Sequence, residues 1–373
     1  MTRSSKMLAL IAMTTALGCS AETTGSPDGD EATTSTSSPL LLDDIRTTVM
    51  TQNVYLGMAV EPVLAAPTEA DVPIAVAAAW RTLHANRFDE RADAIAASIA
   101  KRRPDVIGIQ EVALYRHFPG NGDAPSEIDF LAVLQKALSK RGLAYKTAAV
   151  QNDTDVLVPM LAGTGASGAP ILDGVEVIDR DVVLVRADVA TSKPRAGRYS
   201  ASVPVPAFGT TVEIVRGWVS VDVQAFGGSY RFLSTHLEDL VPEVQAAQAT
   251  ELLELVNGEK LPVVVAGDFN SPADGSGTPT YATLRAAGLR DAWSAAHPNA
   301  PGFTCCRAED LHVATPLTER VDIVFARGRS SKPIPGIVTA TLEGEAWGDR
   351  TRSGLWPSDH AGVVASFRSP TLW

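Results

Sequence analysis

The sequence predicts an α+β fold in which antiparallel hairpins and helices follow one another in mixed order. Apolar, β-branched runs such as residues 47–53 and 261–268 are typical of buried strands. The Gly-Gly-Ser sequence at residues 227–229 connects two such runs and is a signal for a tight hairpin turn. Apolar residues at helical spacing lie between other runs. This mixed order favours an α+β sandwich over a doubly wound parallel sheet.

The strands are predicted from runs of apolar and β-branched residues and from the turn residues that bound them. They lie at residues 47–53, 105–110, 175–178, 181–186, 211–215, 218–226, 230–236, 261–268, 321–325, 337–342 and 362–367. Residues 112–126 contain Gly, Pro, Asn and Asp, and we expect a long loop there. A glycine-rich stretch at residues 161–170 predicts a second irregular segment.

The helices are predicted from apolar residues three and four positions apart. Asn86 is a candidate N-cap for the first of them, and Pro104 stops it. Ser126 can cap the second, which Gly142 closes. The predicted helices are residues 87–103, 127–141, 242–256 and a short one near 281–287.

Length and composition are those of a globular protein with a sizeable core. The chain has 373 residues, of which 45% are hydrophobic and 20% charged, and this argues against wholesale disorder. We find no repeat or interdomain linker after residue 45, so residues 46–373 are predicted to form one domain. A net charge of −11 argues against a broad basic surface that holds nucleic acid. A cleft that is positive only locally is compatible with this charge, so nucleases are not excluded.

The amino terminus has the pattern of an export signal. Two basic residues precede the apolar run at residues 7–13, and small residues lead to Cys19. Residues 1–19 resemble a bacterial lipoprotein signal peptide, although Ala16 stands where leucine is usual; plain secretion is the alternative. Residues 20–45, which are rich in Ser and Thr, predict a flexible tether. We expect an exported protein, either a cell-envelope lipoprotein or secreted, that meets a membrane only through its lipid anchor.

Cys305 and Cys306 are adjacent in the sequence. Consecutive Cα atoms lie about 3.8 Å apart across a trans peptide, which is shorter than the usual disulfide separation of about 4.4–6.8 Å. A vicinal disulfide can therefore form in an oxidising compartment, but with strain. Two thiols are too few for a structural zinc site unless a histidine such as His312 joins them. A structural or incidental redox role is the prediction, and the pairing stays open.

Polar side chains recur at the ends of the predicted strands. Taken singly, Asn53 can cap a turn, Glu111 can be a solvated loop acid, and His236 can be a buried, hydrogen-bonded histidine. Five such runs, however, carry a carboxylate, carboxamide or imidazole at one end. Burying polar groups costs free energy unless they are paired or bind a metal, whereas strand ends hold ligands rigidly. Asp268 and Asn270 at one strand tip can orient a water beside a phosphate, so a catalytic cluster is the better explanation.

Six motifs follow in order along the chain: Thr51-Gln-Asn53, Ile109-Gln-Glu111, Ser234-Thr-His236, Gly267-Asp-Phe-Asn270, Arg320-Val-Asp322 and Ser358-Asp-His360. In type and order they resemble the endonuclease/exonuclease/phosphatase superfamily, which includes pancreatic-type deoxyribonuclease, abasic-site endonucleases, inositol-polyphosphate 5-phosphatases and neutral sphingomyelinases. The resemblance covers residues 47–367. It implies a four-layer α/β/β/α sandwich of two mainly antiparallel sheets flanked by helices, with a divalent metal ion in a cleft at one edge.

The resemblance also implies which residues bind the metal. Glu111 is the expected principal ligand, with Asp359 and Asn53 completing or bordering the site. Oxygen ligands suit Mg²⁺, and Mn²⁺ is the expected substitute. The ion would polarise a phosphoryl oxygen and neutralise charge that develops in the transition state.

The same resemblance implies roles for the residues that would lie across the phosphate from the metal ion. Asp268 would orient or deprotonate the attacking water, and Asn270 would fix its position and contact phosphate. His360 would contact the scissile phosphate while Asp322 holds the imidazole in orientation. His236 would hydrogen-bond the phosphate or assist the leaving group.

A second acid supports that last histidine in deoxyribonuclease-like members. Asp179 resembles it in position, and Asp181 is the rival.

The expected function is that of a monomeric, metal-dependent phosphoesterase that cleaves a phosphodiester or phosphomonoester with activated water. Nucleic acid, phospholipid head groups and small phosphate esters stay open as substrates, and so does the identity of the general acid. The alternative is a non-catalytic surface lipoprotein that uses the same fold for binding.

Overall fold

The computed structural model describes residues 46–207, 210–225, 228–328 and 336–368. The predicted signal peptide, residues 1–19, and the predicted tether, residues 20–45, lie outside the described residues and stay predictions. Among the helices that are described, none is both long enough and apolar enough to span a membrane.

Strands and helices alternate in mixed order along the described chain. The strands are β1 (Arg46–Asn53), β2 (Val106–Gln110), β3 (Leu114–Phe118), β4 (Ser126–Asp129), β5 (Tyr145–Thr164), β6 (Pro170–Arg186), β7 (Thr191–Arg198), β8 (Val203–Ala207), β9 (Thr210–Ile214), β10 (Gly217–Ala225), β11 (Gly228–His236), β12 (Val263–Asp268), β13 (Arg290–Asp291), β14 (Asp322–Arg327), β15 (Ile337–Glu343) and β16 (Gly362–Arg368). The helices are α1 (Glu61–Leu64), α2 (Val72–Ala85), α3 (Phe88–Arg102), α4 (Phe130–Lys140), α5 (Pro242–Gly258), α6 (Thr280–Ala286) and α7 (Ala292–Ala296), with a 3₁₀ turn at Trp347–Asp349.

The strands form two large sheets. The larger has the order β15-β16-β1-β2-β6-β3-β4, with β5 paired to β6, and the smaller has the order β13-β14-β12-β11-β10-β7. Strands β1 and β2 run parallel in the first sheet, and β11 and β12 run parallel in the second. The other strand pairs within these two sheets are antiparallel. The prediction of two mainly antiparallel sheets is therefore confirmed. A separate hairpin pairs β8 with β9.

Buried side chains form three apolar clusters that lie between four layers. Ile95 of α3 belongs to the cluster between the helices α2–α4 and the larger sheet. Val183 of β6 and Val264 of β12 pack in the cluster between the two sheets. The next residue, Val265, points the other way and packs with Leu252 of α5, because successive strand residues face opposite sides. The four-layer arrangement that the motifs implied is thus observed.

Two segments that were predicted to be irregular are part of the larger sheet. The expected loop at 112–126 contains β3 and the beginning of β4, because β3 pairs along β6 over positions distant in sequence. The glycine-rich stretch at 161–170 is the tip of the long β5–β6 hairpin. The two short strands predicted at 175–178 and 181–186 are parts of β6. Local composition did not predict β3 or the tip of the β5–β6 hairpin, because pairing between distant residues, and not local propensity, forms these strands.

Two predicted helix caps are wrong. Ser126 begins β4, and Asp129 caps α4 instead, accepting a hydrogen bond from the backbone N of Leu131 at 2.9 Å. The N-cap of α3 is Arg87 rather than Asn86. The Asn86 amide is buried and donates to the carbonyl oxygens of Gly57 at 2.9 Å and Glu309 at 2.7 Å, so it ties two distant loops to the helix.

Candidate active site

Strand ends from both sheets meet at one edge of the sandwich. Asn53 ends β1 beside the parallel strand β2, which Glu111 follows directly. In the smaller sheet, the register places His236 opposite Asp268, and Asp268 opposite Asp322. Because parallel neighbours end at the same edge of a sheet, these polar groups come together although they are distant in sequence. The structure therefore brings together residues from both sheets that the sequence analysis singled out.

The Asn53 side chain connects the two sheets at this edge. Its Nδ2 atom donates to Glu111 Oε1 at 2.8 Å and to Asp268 Oδ2 at 3.1 Å. The sheets approach closely just behind it, since a Cβ atom at Gly108 would lie 2.4 Å from Ser234 Oγ. A buried amide that spans two carboxylates holds both in fixed positions.

Glu111 turns out of its strand into the site. Its φ is +60°, in the left-handed region that non-glycine residues rarely adopt, and such strain is concentrated at functional sites. The backbone N of Leu56 donates to Glu111 Oε2 at 2.7 Å. Burial, followed by the charges of Asp359 and Asp179, raises the pKa of Glu111 to about 8. Ionisation of Glu111 is therefore disfavoured unless a positive charge compensates for burial and for the neighbouring acids.

The residues proposed as metal ligands fit a hard divalent cation. Burial also raises the pKa of Asp359, and among the neighbouring charges Asp359 has the largest effect on the pKa of Glu111. Carboxylate and amide oxygens, such as that of Asn53, are the ligands that Mg²⁺ prefers, and a cation would offset the charge repulsion between the two acids.

His360 and Asp322 form a carboxylate–imidazole pair. His360 Nδ1 lies 2.8 Å from Asp322 Oδ2 and 3.6 Å from Asp268 Oδ2. Burial alone lowers the pKa of His360, but Asp322, Asp359 and Asp268 together outweigh burial and hold that pKa well above its ordinary value. These side chains also lie close enough to share a cation, with ligand atoms within 4.8 Å. Since the Nδ1 atom already bonds Asp322, we interpret His360 and Asp322 as an ion pair and not as a cation site.

Asp268 and Asn270 stand between the two histidines. Burial, followed by Asp322, raises the pKa of Asp268 to about 6. Asn270 has a φ of +47°, and its backbone N donates to Asp268 Oδ1 at 3.0 Å. The Asn270 Nδ2 atom lies 3.2 Å from His236 Nε2. This turn keeps the carboxylate and the amide on the same side of the strand tip, as the sequence suggested.

His236 has the opposite electrostatic environment to His360. Its Nδ1 atom lies 3.2 Å from Arg216 Nη1, and a guanidinium can only donate, so Nδ1 accepts. Burial, then Arg216 and His360, lower the pKa of His236 well below its ordinary value. His236 is therefore neutral at physiological pH.

Arg216 is the site residue that the sequence analysis missed. It lies between β9 and β10, and its Nη1 atom lies 3.5 Å from Asp179 Oδ2. Its Nη2 atom donates to Asp239 Oδ1 at 2.9 Å. The only signal in the sequence is a single cation between two predicted strands, and that pattern is common on protein surfaces.

The two candidates for the second acid are placed differently. Asp179 lies within β6 and pairs with Arg216, which in turn contacts His236. Asp181, two residues further along, is buried, and neither of its carboxylate oxygens has a hydrogen-bond partner among the described residues. The geometry therefore favours Asp179 as the acid on the His236 side.

Arg91 is a second residue that the sequence analysis did not single out. It lies on the buried face of α3, where the helical pattern calls for an apolar residue. Its Nη1 atom donates to Val54 O at 2.6 Å and to Pro357 O at 3.1 Å. Arg91 thus joins the loop after Asn53 to the loop before Asp359. A charged residue on an apolar helix face was the signal that could have identified it.

The adjacent cysteines lie beside His360. The structure pairs Cys305 with Cys306 as a vicinal disulfide. Cys306 Sγ is 3.8 Å from His360 Nε2, the ring nitrogen that does not face Asp322. His312, the histidine considered for a zinc site, is exposed in its loop, and its backbone N donates to Asp310 Oδ1 at 3.0 Å.

Several solved structures share this fold at low sequence identity. A truncated TDP2 from Caenorhabditis elegans is 19% identical, with 87% of this chain and 98% of that chain covered and a TM-score of 0.51. An endonuclease/exonuclease/phosphatase family protein from Leptotrichia buccalis is 18% identical, with 86% and 98% covered and a TM-score of 0.50. TDP2 from D. rerio, complexed with a single-strand DNA product, is 16% identical, with 87% and 99% covered and a TM-score of 0.50. At this identity the similarity shows the fold alone.

Sequence comparison identifies the family more directly. No curated protein matches this chain. The family described as "Endonuclease/Exonuclease/phosphatase family" matches residues 50–360, which include all six motifs. Since the match covers most of the chain, this protein belongs to the endonuclease/exonuclease/phosphatase family.

Proposed function

We propose that this protein is a divalent-metal-dependent phosphoesterase that hydrolyses a phosphodiester or phosphomonoester with an activated water. The observation that carries the proposal is the pair of His360 and Asp322, 2.8 Å apart, at the edge where Glu111 and Asp268 also meet. A protonated imidazole, a carboxylate with a pKa of about 6 and a concentration of acids are the groups that phosphoryl transfer to water requires.

Glu111, Asp359 and Asn53 would hold the metal. Mg²⁺ suits these oxygen ligands best, and Mn²⁺ is the expected substitute. When bound, the ion would supply Lewis-acid polarisation of a phosphoryl oxygen. The raised pKa values of Glu111 and Asp359 support this assignment, because both carboxylates are more easily ionised once a cation neutralises their repulsion.

The remaining groups would act on the water and the phosphate. Asp268, ionised above about pH 6, would orient and deprotonate the water, and Asn270 would fix its position. His360, held protonated by Asp322, would donate to a phosphate oxygen. His236 is neutral, so it would hydrogen-bond the phosphate or the leaving group without adding charge.

The substrate class is a nucleic acid or a phospholipid head group. The D. rerio TDP2 structure contains a single-strand DNA product, and this supports a phosphodiester in a cleft of this fold. The net charge of −11 weighs against tight binding of a long polyanion. We expect the protein to act as a monomer.

We also propose that the protein is exported and anchored through Cys19 after removal of the preceding residues. Labelled palmitate should be incorporated into the wild-type chain and not into a Cys19→Ser variant. If export occurs without incorporation of label, the protein is secreted and not a lipoprotein.

A hydrolysis panel with added Mg²⁺ tests the proposed activity. Plasmid DNA, RNA, sphingomyelin, phosphatidylinositol phosphates and a chromogenic diester should be compared, and at least one should be hydrolysed. EDTA should abolish that turnover, and Mg²⁺ should restore it. A folded protein that binds but hydrolyses none of these substrates would favour the alternative, a non-catalytic binding protein; hydrolysis that survives EDTA would contradict the metal-dependent mechanism.

A further inference from the structure

An apolar groove opens beside the candidate active site. Its volume is about 390 Å³, within the range of about 300–1,000 Å³ that is usual for ligand pockets. Helices α1 and α2 form one wall, and strands β5 and β6 together with the β8–β9 hairpin form the other. Apart from two threonines, Glu69, Asp179 and Arg216, the lining is apolar.

The groove is continuous with the phosphate-handling residues. Asp179 and Arg216 line it, and Arg216 Nη1 is also 3.2 Å from His236 Nδ1. A ligand that fills the groove therefore meets the Arg216 guanidinium at the end that lies next to His236, where the guanidinium also pairs with Asp179 and Asp239. An anionic group at that end and an apolar group along the remainder would match both chemistries.

The lining of the groove contains both fully buried and solvent-exposed apolar residues. Val76 on α2 and Val175 on β6 are almost fully buried at its base, whereas Leu64 on α1 is 39% exposed at its side. A single exposed leucine is ordinary, but here it continues an apolar surface that leads inward. Such a groove is suited to a narrow, flexible apolar chain that enters from solvent.

We propose that the groove binds the alkyl or acyl chain of the substrate, so that the enzyme acts on a lipid phosphoester whose phosphate lies at His236 and Arg216. This inference rests on the proposed function and specifies its substrate class. A polynucleotide fits the groove poorly, because each base carries polar edges that need hydrogen-bond partners, and the walls offer few. Trp80 is the single aromatic side chain in the described lining, so a stacking platform for successive bases is lacking there.

A series of p-nitrophenyl alkyl phosphodiesters tests the proposal. With chains from about two to about twelve carbons, assayed below the micellar range, KM should fall by up to about fourfold for each added methylene until the groove is full. The value of kcat should change little, because the apolar contact is made equally in the ground and transition states. Equal kcat/KM across the series, or faster hydrolysis of DNA than of any amphiphile, would overturn the inference.

Two variants locate the effect in the groove. Leu64→Asp makes the exposed rim polar, and Ala79→Phe fills space in the lining. Each should reduce the ratio of kcat/KM between the longest and shortest substrates by about tenfold or more. Leu157→Asp is the matched control, because Leu157 is a 60% exposed leucine outside the groove. If the control lowers the ratio as much as Leu64→Asp does, the effect is not specific to the groove and the inference fails.

A binding measurement separates this inference from the proposed function. An alkylphosphonate with about ten carbons has no phosphoester bond to hydrolyse, and by covering Trp80 with an apolar chain it should shift the tryptophan emission of the wild-type protein to shorter wavelength. The shift should be lost in Trp80→Phe and weakened in Ala79→Phe. If binding depends on chain length but no diester is hydrolysed, the proposed function is rejected and the groove inference is kept. If the shortest diester is hydrolysed but no such binding is seen, the groove inference is rejected and the proposed function is kept.

Discussion

The two histidines of the site differ in their surroundings, although both lie close to Asp268. His360 is bonded to a carboxylate, Asp322, and nearby acids hold its pKa well above the ordinary value. His236 is bonded to a guanidinium, Arg216, and its pKa is held well below the ordinary value. Environment alone thus gives one fold a cationic and a neutral imidazole at the same pH.

This difference divides the site into two halves with separate tasks. The half with His360 contains acids that hold the pKa of its imidazole high. In the half with Arg216, the guanidinium pairs with Asp179, Glu238 and Asp239, and the apolar groove begins there. Asp268 lies 3.6 Å from His360 Nδ1 and 3.8 Å from His236 Nε2, so the water would be activated where the two halves meet.

The largest effect is expected from the charged histidine. His360→Gln keeps a side chain of similar size that can hydrogen-bond, but it cannot carry the positive charge. We expect kcat to fall by about 10²–10⁴-fold, because both charge stabilisation and proton donation are lost. Steady-state kinetics on the best substrate of the hydrolysis panel measures the loss.

His312→Ala is the matched control for this change, since His312 is exposed and lies outside the site. It should leave kcat unaltered. A fall of less than about threefold in His360→Gln, with the fold intact by circular dichroism, would remove His360 from the proposed chemistry.

Loss of the charge on Glu111 should have the next largest effect. Glu111→Gln keeps the size of the side chain and one of the two hydrogen bonds accepted from Asn53 and Leu56, but it lacks a carboxylate for the metal. We expect about 10²–10³-fold lower activity at low Mg²⁺, and partial recovery as the Mg²⁺ concentration rises. A Mg²⁺ titration of the rate measures both. An unchanged half-saturating Mg²⁺ concentration would show that Glu111 is not a ligand.

The neutral half can be tested by removing its cation. Arg216→Met should lower kcat/KM by about 10- to 100-fold, because the charge-assisted hydrogen bond to His236 is lost. The pKa of His236 should rise toward its ordinary value but not reach it, since burial is the larger cause of its depression. NMR titration of the six histidines, with His236→Gln for assignment, follows this shift.

Arg195→Met is the control for that change, because Arg195, on strand β7, is an arginine that pairs with Glu259. It should alter neither the rate nor the pKa of His236. If the pKa of His236 falls or stays constant in Arg216→Met, the two histidines are not distinguished by their charged neighbours.

The sequence predicts more of the charged half than of the neutral half, and the reason is physical. Asn53, Glu111 and Asp268 occupy strand ends, where the recurrence of polar residues and the resemblance of the ordered motifs to a known family predicted a common site. Arg216 lies between two strands, and its position depends on how the β8–β9 hairpin and β10 fold against β6. The groove also arises only from tertiary packing, since its two walls come from segments separated by more than seventy residues.

The same limit applies to the secondary structure. The strand β3 lies in a segment with turn-forming residues, and it exists because β6 offers it a partner over its whole length. The Asn86 and Ser126 caps were local inferences, and tertiary contacts replaced both. Strong periodicity, as in α3 and β12, predicted the elements well because burial of one face enforces that pattern.

The smallest expected effects on activity distinguish the two candidate acids near His236, Asp179 and Asp181. Asp179→Asn should reduce activity several-fold, because it weakens the charge that orients Arg216. Asp181→Asn should leave activity unchanged and stabilise the protein at pH 7 by about 1–2 kcal/mol. Burial, then Asp153 and Asp179, raise the pKa of Asp181 well above its ordinary value, and its oxygens have no hydrogen-bond partner among the described residues.

The sign of the Asp181 effect follows from linkage between protonation and folding. A carboxyl whose pKa is higher in the folded state than in the unfolded state destabilises the fold as the pH rises above the unfolded value of about 4. Asparagine cannot ionise, so the gain from Asp181→Asn should be present at pH 7 and absent below about pH 4. Urea denaturation at both pH values measures it. A loss of activity in Asp181→Asn larger than that in Asp179→Asn would reverse the assignment and make Asp181 the acid that serves His236.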